Sequence, residues 1–260
     1  MKLRVATAIC VCKLSRFAIR LLGRGGTDMP GRLALKVCPD LLGHLAKDVT
    51  TLIVTGTNGK TTTSRMIEQA WIDAGISYFA NKSGANLLSG VTAEFAMHST
   101  LGGKCKFTHA LIESDEAAFK AISKYVDAKV IVVTNIFRDQ LDRYGEVTHT
   151  RNNIKIGIEH SPNAQLCLNA DDSLTASLAE EVPNPVLYYG VNTPIYRDRV
   201  QELSDAPYCL HCKHAYTYDY VTYGHLGGYR CPACGYCRPS PRVYVQDVLT
   251  SDAEHSEVDL

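Results

Sequence analysis

Apolar and polar positions along the chain follow two different periods. The segments "TLIVTG" (51–56), "FTHALIE" (107–113), "AKVIVVTN" (128–135), "AQLCLNADD" (164–172) and "NPVLYYG" (184–190) are short apolar runs bounded by turn residues. Runs of this length, rich in Val, Ile and Leu, predict strands buried on both faces. Stretches of helical character lie between or before them, over about 32–46, over 60–75 with Gly75 as the stop, and over 116–126. Strands alternating with helices predict an α/β fold, a parallel sheet with helices on both sides. Functional groups of such a sheet gather at the C-terminal strand ends. Four segments meet that condition: the loop after Gly56, Glu113, Asn135 and "NADD" (169–172).

From about residue 196 the character changes, and Tyr, Cys, Gly and His dominate up to Cys237. This reads as a small insert. The N-terminal 24 residues are basic, with Lys2, Arg4, Lys13, Arg16, Arg20 and Arg24. On a helix the last four share one face, and Leu14, Ala18 and Leu21 lie on the adjoining one. An ordinary surface helix is the expectation, and weak attachment to an anionic membrane surface is the alternative. Lys+Arg equals Asp+Glu at 27 each, so no net field points to nucleic acid. No apolar run approaches the ~20 residues of a membrane span. The basic residues that directly follow "VATAICVC" (5–12), with no small-residue cleavage site, argue against a secretory signal.

The loop "GTNGKTT" (56–62) carries the most chemistry. Thr57 and Asn58 alone separate Gly56 from Gly59, where the usual phosphate loop has four residues between its first Gly and its Gly-Lys. The turn is tighter, but its amides can still converge in front of a helix N-terminus. Lys60 can then reach terminal phosphates, and the Thr61 hydroxyl can ligate Mg²⁺. A nucleotide loop places the chain in a reducing cytoplasm, where paired Cys bind metal more often than they form disulfides. "CLHC" (209–212) and "CPAC" (231–234) enclose eighteen residues, the two-knuckle spacing of a zinc ribbon. Cys209, Cys212, Cys231 and Cys234 would close a tetrahedral shell, which makes the Zn²⁺ structural. A redox pair is the alternative, and His211 and His214 read as surface residues.

These motifs carry a resemblance. "GTNGKTT" is similar to the ATP loop of the Mur ligases, which share it with folylpolyglutamate synthase. "TNIFRDQLDRYGE" (134–146) resembles the family's segment of Asn followed by Asp-His-Leu-Asp, and "NADD" also recurs there. The resemblance covers about 52–190. It implies that ATP phosphorylates a carboxylate and that an amine displaces phosphate from the acyl phosphate. By the same resemblance, Lys60 and Glu113 are catalytic, and Glu113 shares Mg²⁺ with Thr61. Glu116 is the competing carboxylate, its other reading being a helix-start acid. Gly56, Thr57, Asn58, Gly59, Lys60, Thr61, Thr62, Asn135, Asn169 and Asp172 are assigned to the nucleotide. Gln140 stands where the family has a metal-holding His, and an amide is the weaker ligand. Some members use a carbamylated Lys, but Lys155 reads equally well as a solvated helix residue and is not assigned that role.

"DQLDRYGE" with a Cys-rich insert, together with "GRGGTDMPG" (23–31) and "NKSGANLLSG" (81–90), resembles the branch of the family that amidates lipid II. That branch converts the D-glutamate α-carboxylate to D-isoglutamine in peptidoglycan synthesis, with ammonia from a GatD-like glutaminase partner. The implied organisation is a basic segment over 1–48, an ATP-binding central domain over 49–195, a zinc-ribbon insert over 196–240 and a return segment over 241–260. The family's C-terminal domain, and the last strands of the central one, are expected to be missing. Nucleotide binding without completed amidation is therefore expected. The location implied is the cytoplasm, at the inner face of the plasma membrane if the basic N-terminal segment attaches there. An amino-acid-adding or folylpolyglutamate synthase-like ligase, and a non-catalytic zinc-ribbon interaction module, are the rival readings.

Overall fold

The computed structural model describes residues 2–21, 28–81, 85–138, 146–193, 205–251 and 256–260. In chain order the helices are α1 (Lys2–Leu21), α2 (Asp28–Val37), α3 (Leu41–Ala46), α4 (Lys60–Asp73), α5 (Leu88–Met97), α6 (Glu116–Ile122), α7 (Glu146–Glu159) and α8 (Ser173–Ala176). The strands are β1 (Thr50–Thr55), β2 (Tyr78–Ala80), β3 (His109–Glu113), β4 (Ala128–Val133), β5 (Gln165–Asn169), β6 (Val186–Val191), β7 (Thr217–Tyr223), β8 (Leu226–Arg230), β9 (Val243–Val245), β10 (Asp247–Ser251) and β11 (Ser256–Asp259).

Seven strands form one parallel sheet in the order β2-β3-β1-β4-β5-β6-β9. After β1 the chain steps to one side for β2 and β3, then crosses to the other for β4 onward. β1 is therefore the point where strand order reverses, the place where such sheets open a crevice. Alternate residues supply two cores. Ile53, Ile112, Ile131, Val133, Leu166 and Leu168 face a large cluster that includes Phe95 of α5, Phe119 of α6 and Ile154 of α7. Val54, Leu111 and Val132 face Ile67 and Trp71 of α4.

Several expectations are corrected. The helix expected over 32–46 is two helices, α2 and α3, separated at Pro39. Proline disfavours helical conformation in the residue before it and has no N–H to give. Helix α5 was not anticipated, because its apolar residues run all round it and leave no periodic stripe. The N-terminal segment is not separate from the sheet domain. Val5, Ala8, Ile9 and Cys12 form a helical stripe inside the main core. The basic face of α1 is also not simply solvated. Arg16 Nη1 lies 2.7 Å from Glu94 Oε1, and Lys13 Nζ donates to the Ser99 carbonyl at 2.5 Å. At the edge of the sheet, Val243–Val245 forms β9 beside β6.

The hairpin of β7 and β8 carries its own small core. Cys209, Tyr216, Tyr229 and Cys231 are buried in it, with Tyr218 and Tyr236 packed alongside. No helix among the described residues is long and apolar enough to cross a membrane.

Candidate nucleotide and metal sites

Strand β1 ends at Thr55, and the chain turns at once into α4 through Gly56–Gly59. Gly56 has φ +119°, and a Cβ there would sit 2.4 Å from Thr134 Oγ1 and 2.8 Å from the Asn135 carbonyl oxygen. This close approach, and not only the turn, requires glycine. Gly59 caps α4 at φ +79° and brings no side chain to the first-turn amides. Those N–H groups, with the positive end of the helix dipole, are the elements of an anion site. Thr62 is exposed in the same turn.

The loop is held from β4. The Asn58 amide donates to Asn135 Oδ1 at 2.9 Å, Asn135 Nδ2 donates to the Asn58 carbonyl at 3.1 Å, and the Thr57 amide donates to the Asn135 carbonyl at 2.9 Å. The Phe137 amide donates to Thr57 Oγ1 at 3.0 Å. Lys60 folds back over the loop, with Nζ 2.5 Å from the Gly56 carbonyl and 2.8 Å from that of Thr57.

Thr61 Oγ1 donates to Glu113 Oε1 at 2.9 Å. The first turn of α4, which follows β1, and the end of β3, which pairs with β1, thus bring together a hydroxyl and a carboxylate. Glu116 lies in the first turn of α6, which Asp115 caps by accepting from the Ala118 amide at 2.7 Å. Asn81 went unrecognised as a site residue. Its amide pairs with the backbone of Glu113 in both directions, at 2.8 Å each way. Its place directly after the short apolar run of β2 was the available signal. Thr61, Ser64, Arg65, Glu68, Asn81 and Glu113 border a cavity of about 350 Å³.

Asn169 and Asp172 are buried beside the end of β4. Asn169 Nδ2 donates to the Thr134 carbonyl at 3.0 Å. Asp172 caps α8 and accepts from the Ile136 amide at 2.8 Å and from Thr175 Oγ1 at 2.5 Å. Its neighbour Asp171 is paired with Arg238 at 2.6 Å, but burial outweighs the guanidinium and raises its carboxyl above the usual range. Lys155 lies 3.2 Å from Glu159 and 3.4 Å from Glu181. Hydrogen bonds with Glu159 and Glu181 raise its pKa, which opposes the neutral amine that carbamylation needs. Gln140 lies outside the described residues, as does most of "DQLDRYGE".

The four sulfurs of Cys209, Cys212, Cys231 and Cys234 all lie within 4.8 Å of one another. The Cys209–Cys234 and Cys212–Cys231 separations are 3.5 and 3.4 Å. A disulfide needs ~2.05 Å. Thiolates at ~2.3 Å around a tetrahedral ion are ~3.8 Å apart, so this donor set fits zinc. Burial raises the Cys231 thiol, but the amides of Cys234 and Ala233 and the neighbouring thiols outweigh it and bring it down to about 6. Cys237 is exposed and stands outside the cluster.

Residues 54–219 match the Mur ligase middle domain. The chain is 38% identical over 237 residues to the MurT subunit of the glutamine-hydrolysing lipid II isoglutaminyl synthase of Staphylococcus aureus (strain COL), covering 91% of this chain and 53% of that protein. Its identity to the MurT subunit of Streptococcus pneumoniae (strain ATCC BAA-255 / R6) is 35%, covering 92% and 53%. A pseudomurein peptide ligase type C from Methanothermus fervidus has a similar structure, with TM-score 0.61 and 27% identity over 85% of this chain and 43% of that one. The chain spans about half the length of the curated relatives it matches.

Proposed function

Since the chain belongs to the Mur ligase family, we propose that it supplies the ATP-binding centre of a ligase that amidates a peptidoglycan precursor. The observation that carries this reading is the meeting of Thr61 and Glu113 beneath the tip of α4, one turn from an uncapped phosphate loop. Thr61 and Glu113 would hold Mg²⁺, which would supply charge neutralisation at the phosphates. The loop amides receive phosphate oxygens, and Lys60 exchanges its two carbonyl partners for the terminal phosphate. That arrangement favours transfer of the γ-phosphoryl group to a carboxylate, since phosphoryl transfer needs positioning and charge stabilisation above all. Asn135 keeps the loop in register, and Asn169 and Asp172 hold the strand ends on which it rests.

The similarity to MurT subunits supports a finer reading. The carboxylate is the D-glutamate α-carboxylate of lipid II. An acyl phosphate forms with loss of ADP, and ammonia from a GatD-like glutaminase displaces phosphate to leave D-isoglutamine. The cysteine cluster holds a structural Zn²⁺ and contributes folding energy to the insert. The work takes place in the cytoplasm, at the inner face of the plasma membrane where the lipid substrate presents its head.

Calorimetry with a magnesium complex of a non-hydrolysable ATP analogue tests the centre. Micromolar binding is expected. Lys60→Ala should weaken it at least tenfold, and Glu113→Gln should remove its dependence on magnesium. Absence of heat from folded protein would overturn the reading. Comparing ammonia with amino acids as acceptors, in an assay of the complete ligase with the glutaminase and lipid II, separates amidation from amino-acid addition. Partner binding by a wild-type chain that binds no nucleotide would favour the interaction module.

A further inference from the structure

The hairpin of the four-cysteine insert reaches the phosphate loop through an unbroken path. His225, between β7 and β8, is 1% exposed and donates from Nε2 to Asp172 Oδ1 at 3.2 Å. The other oxygen of that carboxylate accepts the Ile136 amide at 2.8 Å. Ile136 is flanked by Asn135 and Phe137, the residues that hold Asn58 and Thr57 of the loop. The Phe137 ring also packs on His225, with centroids 4.4 Å apart. Gly224 permits this approach, since a Cβ there would meet Phe137 at 2.9 Å.

A second tie runs alongside the first. Arg238, four residues past Cys234, reaches Asp171 at 2.6 Å, and Tyr220 of β7 donates to the Val191 carbonyl at 2.8 Å. The Gly227 amide donates to the Asp171 carbonyl at 2.9 Å. The hairpin is thus joined to both halves of the Asp171–Asp172 turn.

We propose that His225 is a positioning residue through which the metal state of the cysteine cluster sets the affinity of the phosphate loop for nucleotide. The inference rests on the nucleotide and zinc readings above. A metal that locks the two knuckles orients the hairpin, the hairpin orients His225, and the Asp172 carboxylate then fixes the Asn135–Phe137 segment against the loop. When the metal is lost, the small tyrosine and cysteine core has too little apolar area to hold the hairpin by itself. Asp172 loses its buried partner, and the loop loses its brace. Coupling of this kind is reciprocal, so nucleotide must tighten zinc by the factor by which zinc tightens nucleotide.

The test measures zinc affinity by competition with a chelator of known strength, with and without saturating magnesium ADP. It uses this chain as it stands, with bound zinc counted first and nucleotide heat measured in parallel. One zinc per chain and a rise in zinc affinity of about tenfold with nucleotide are expected, within the usual range for coupled sites. His225→Leu should reduce that factor to below twofold while still binding one zinc. His225→Gln, which keeps a donor near the Nε2 position, should restore most of it. Nucleotide binding with unchanged zinc affinity in the wild type would overturn the coupling and leave the proposed function standing. Equal coupling in His225→Leu would remove His225 from the path. Absence of nucleotide heat would instead sink the proposed function itself, and absence of bound zinc would remove the metal on which the coupling depends.

Discussion

Glu113 shows how little of a residue's role lies in its own side chain. Its carboxylate meets Thr61, but its direction is set by Asn81, whose amide holds the Glu113 backbone on both sides. Asn81→Leu should leave two buried backbone groups unmet, at about 1–3 kcal/mol each. A drop in urea midpoint and a weaker magnesium dependence of nucleotide binding are the expected readouts. At Gly56 the constraint is steric. Gly56→Ala forces a Cβ against Thr134 and Asn135 at a backbone conformation that alanine resists. Nucleotide binding should fall below detection by calorimetry, while circular dichroism still reports a folded sheet. Cys12 illustrates burial by itself. Desolvation pushes its thiol up to about 11, and Arg16 offsets this in part. At pH 8 its thiolate fraction is then about one in a thousand. Mass spectrometry after brief alkylation should find Cys12 unmodified in native protein and modified in urea.

At the scale of elements, α1 and α5 are joined by an ion pair that periodicity could not disclose. Arg16 and Glu94 are both largely buried, and each satisfies the charge of the other. Removing one partner leaves the other charge uncompensated, which costs about 3 kcal/mol. Arg16→Met should therefore destabilise strongly. Arg16→Met combined with Glu94→Gln should recover much of the loss. Denaturant melts of the two variants check this, and equal losses would show that the pairing adds nothing. Strands β1, β3, β4, β5 and β6 were legible for a simple reason: parallel strands buried on both faces read as apolar runs. Helix α5 was hidden by that same rule, since apolar residues on every side of it erase the period. The break between α2 and α3 is marked in the sequence by Pro39.

At the scale of the molecule, the N-terminal helices and the sheet unfold together if they share one core. Ile9→Ala, at a fully buried position in α1, should lower stability by about 3 kcal/mol. The loss should appear in a single transition common to all probes. A separate early transition, with the sheet unchanged, would show α1 to be an appendage. The sequence alone determined the α/β class, the phosphate loop and the paired cysteine knuckles. Each depends on residues close together in the chain, whose chemistry and spacing are visible without coordinates. Only the tertiary structure decided that Thr61 meets Glu113, that Asn81 orients it, that Arg16 turns inward to Glu94, and that His225 reaches Asp172. Those pairs lie far apart in sequence. The strand order and the course of the hairpin bring them together, and no local pattern records either.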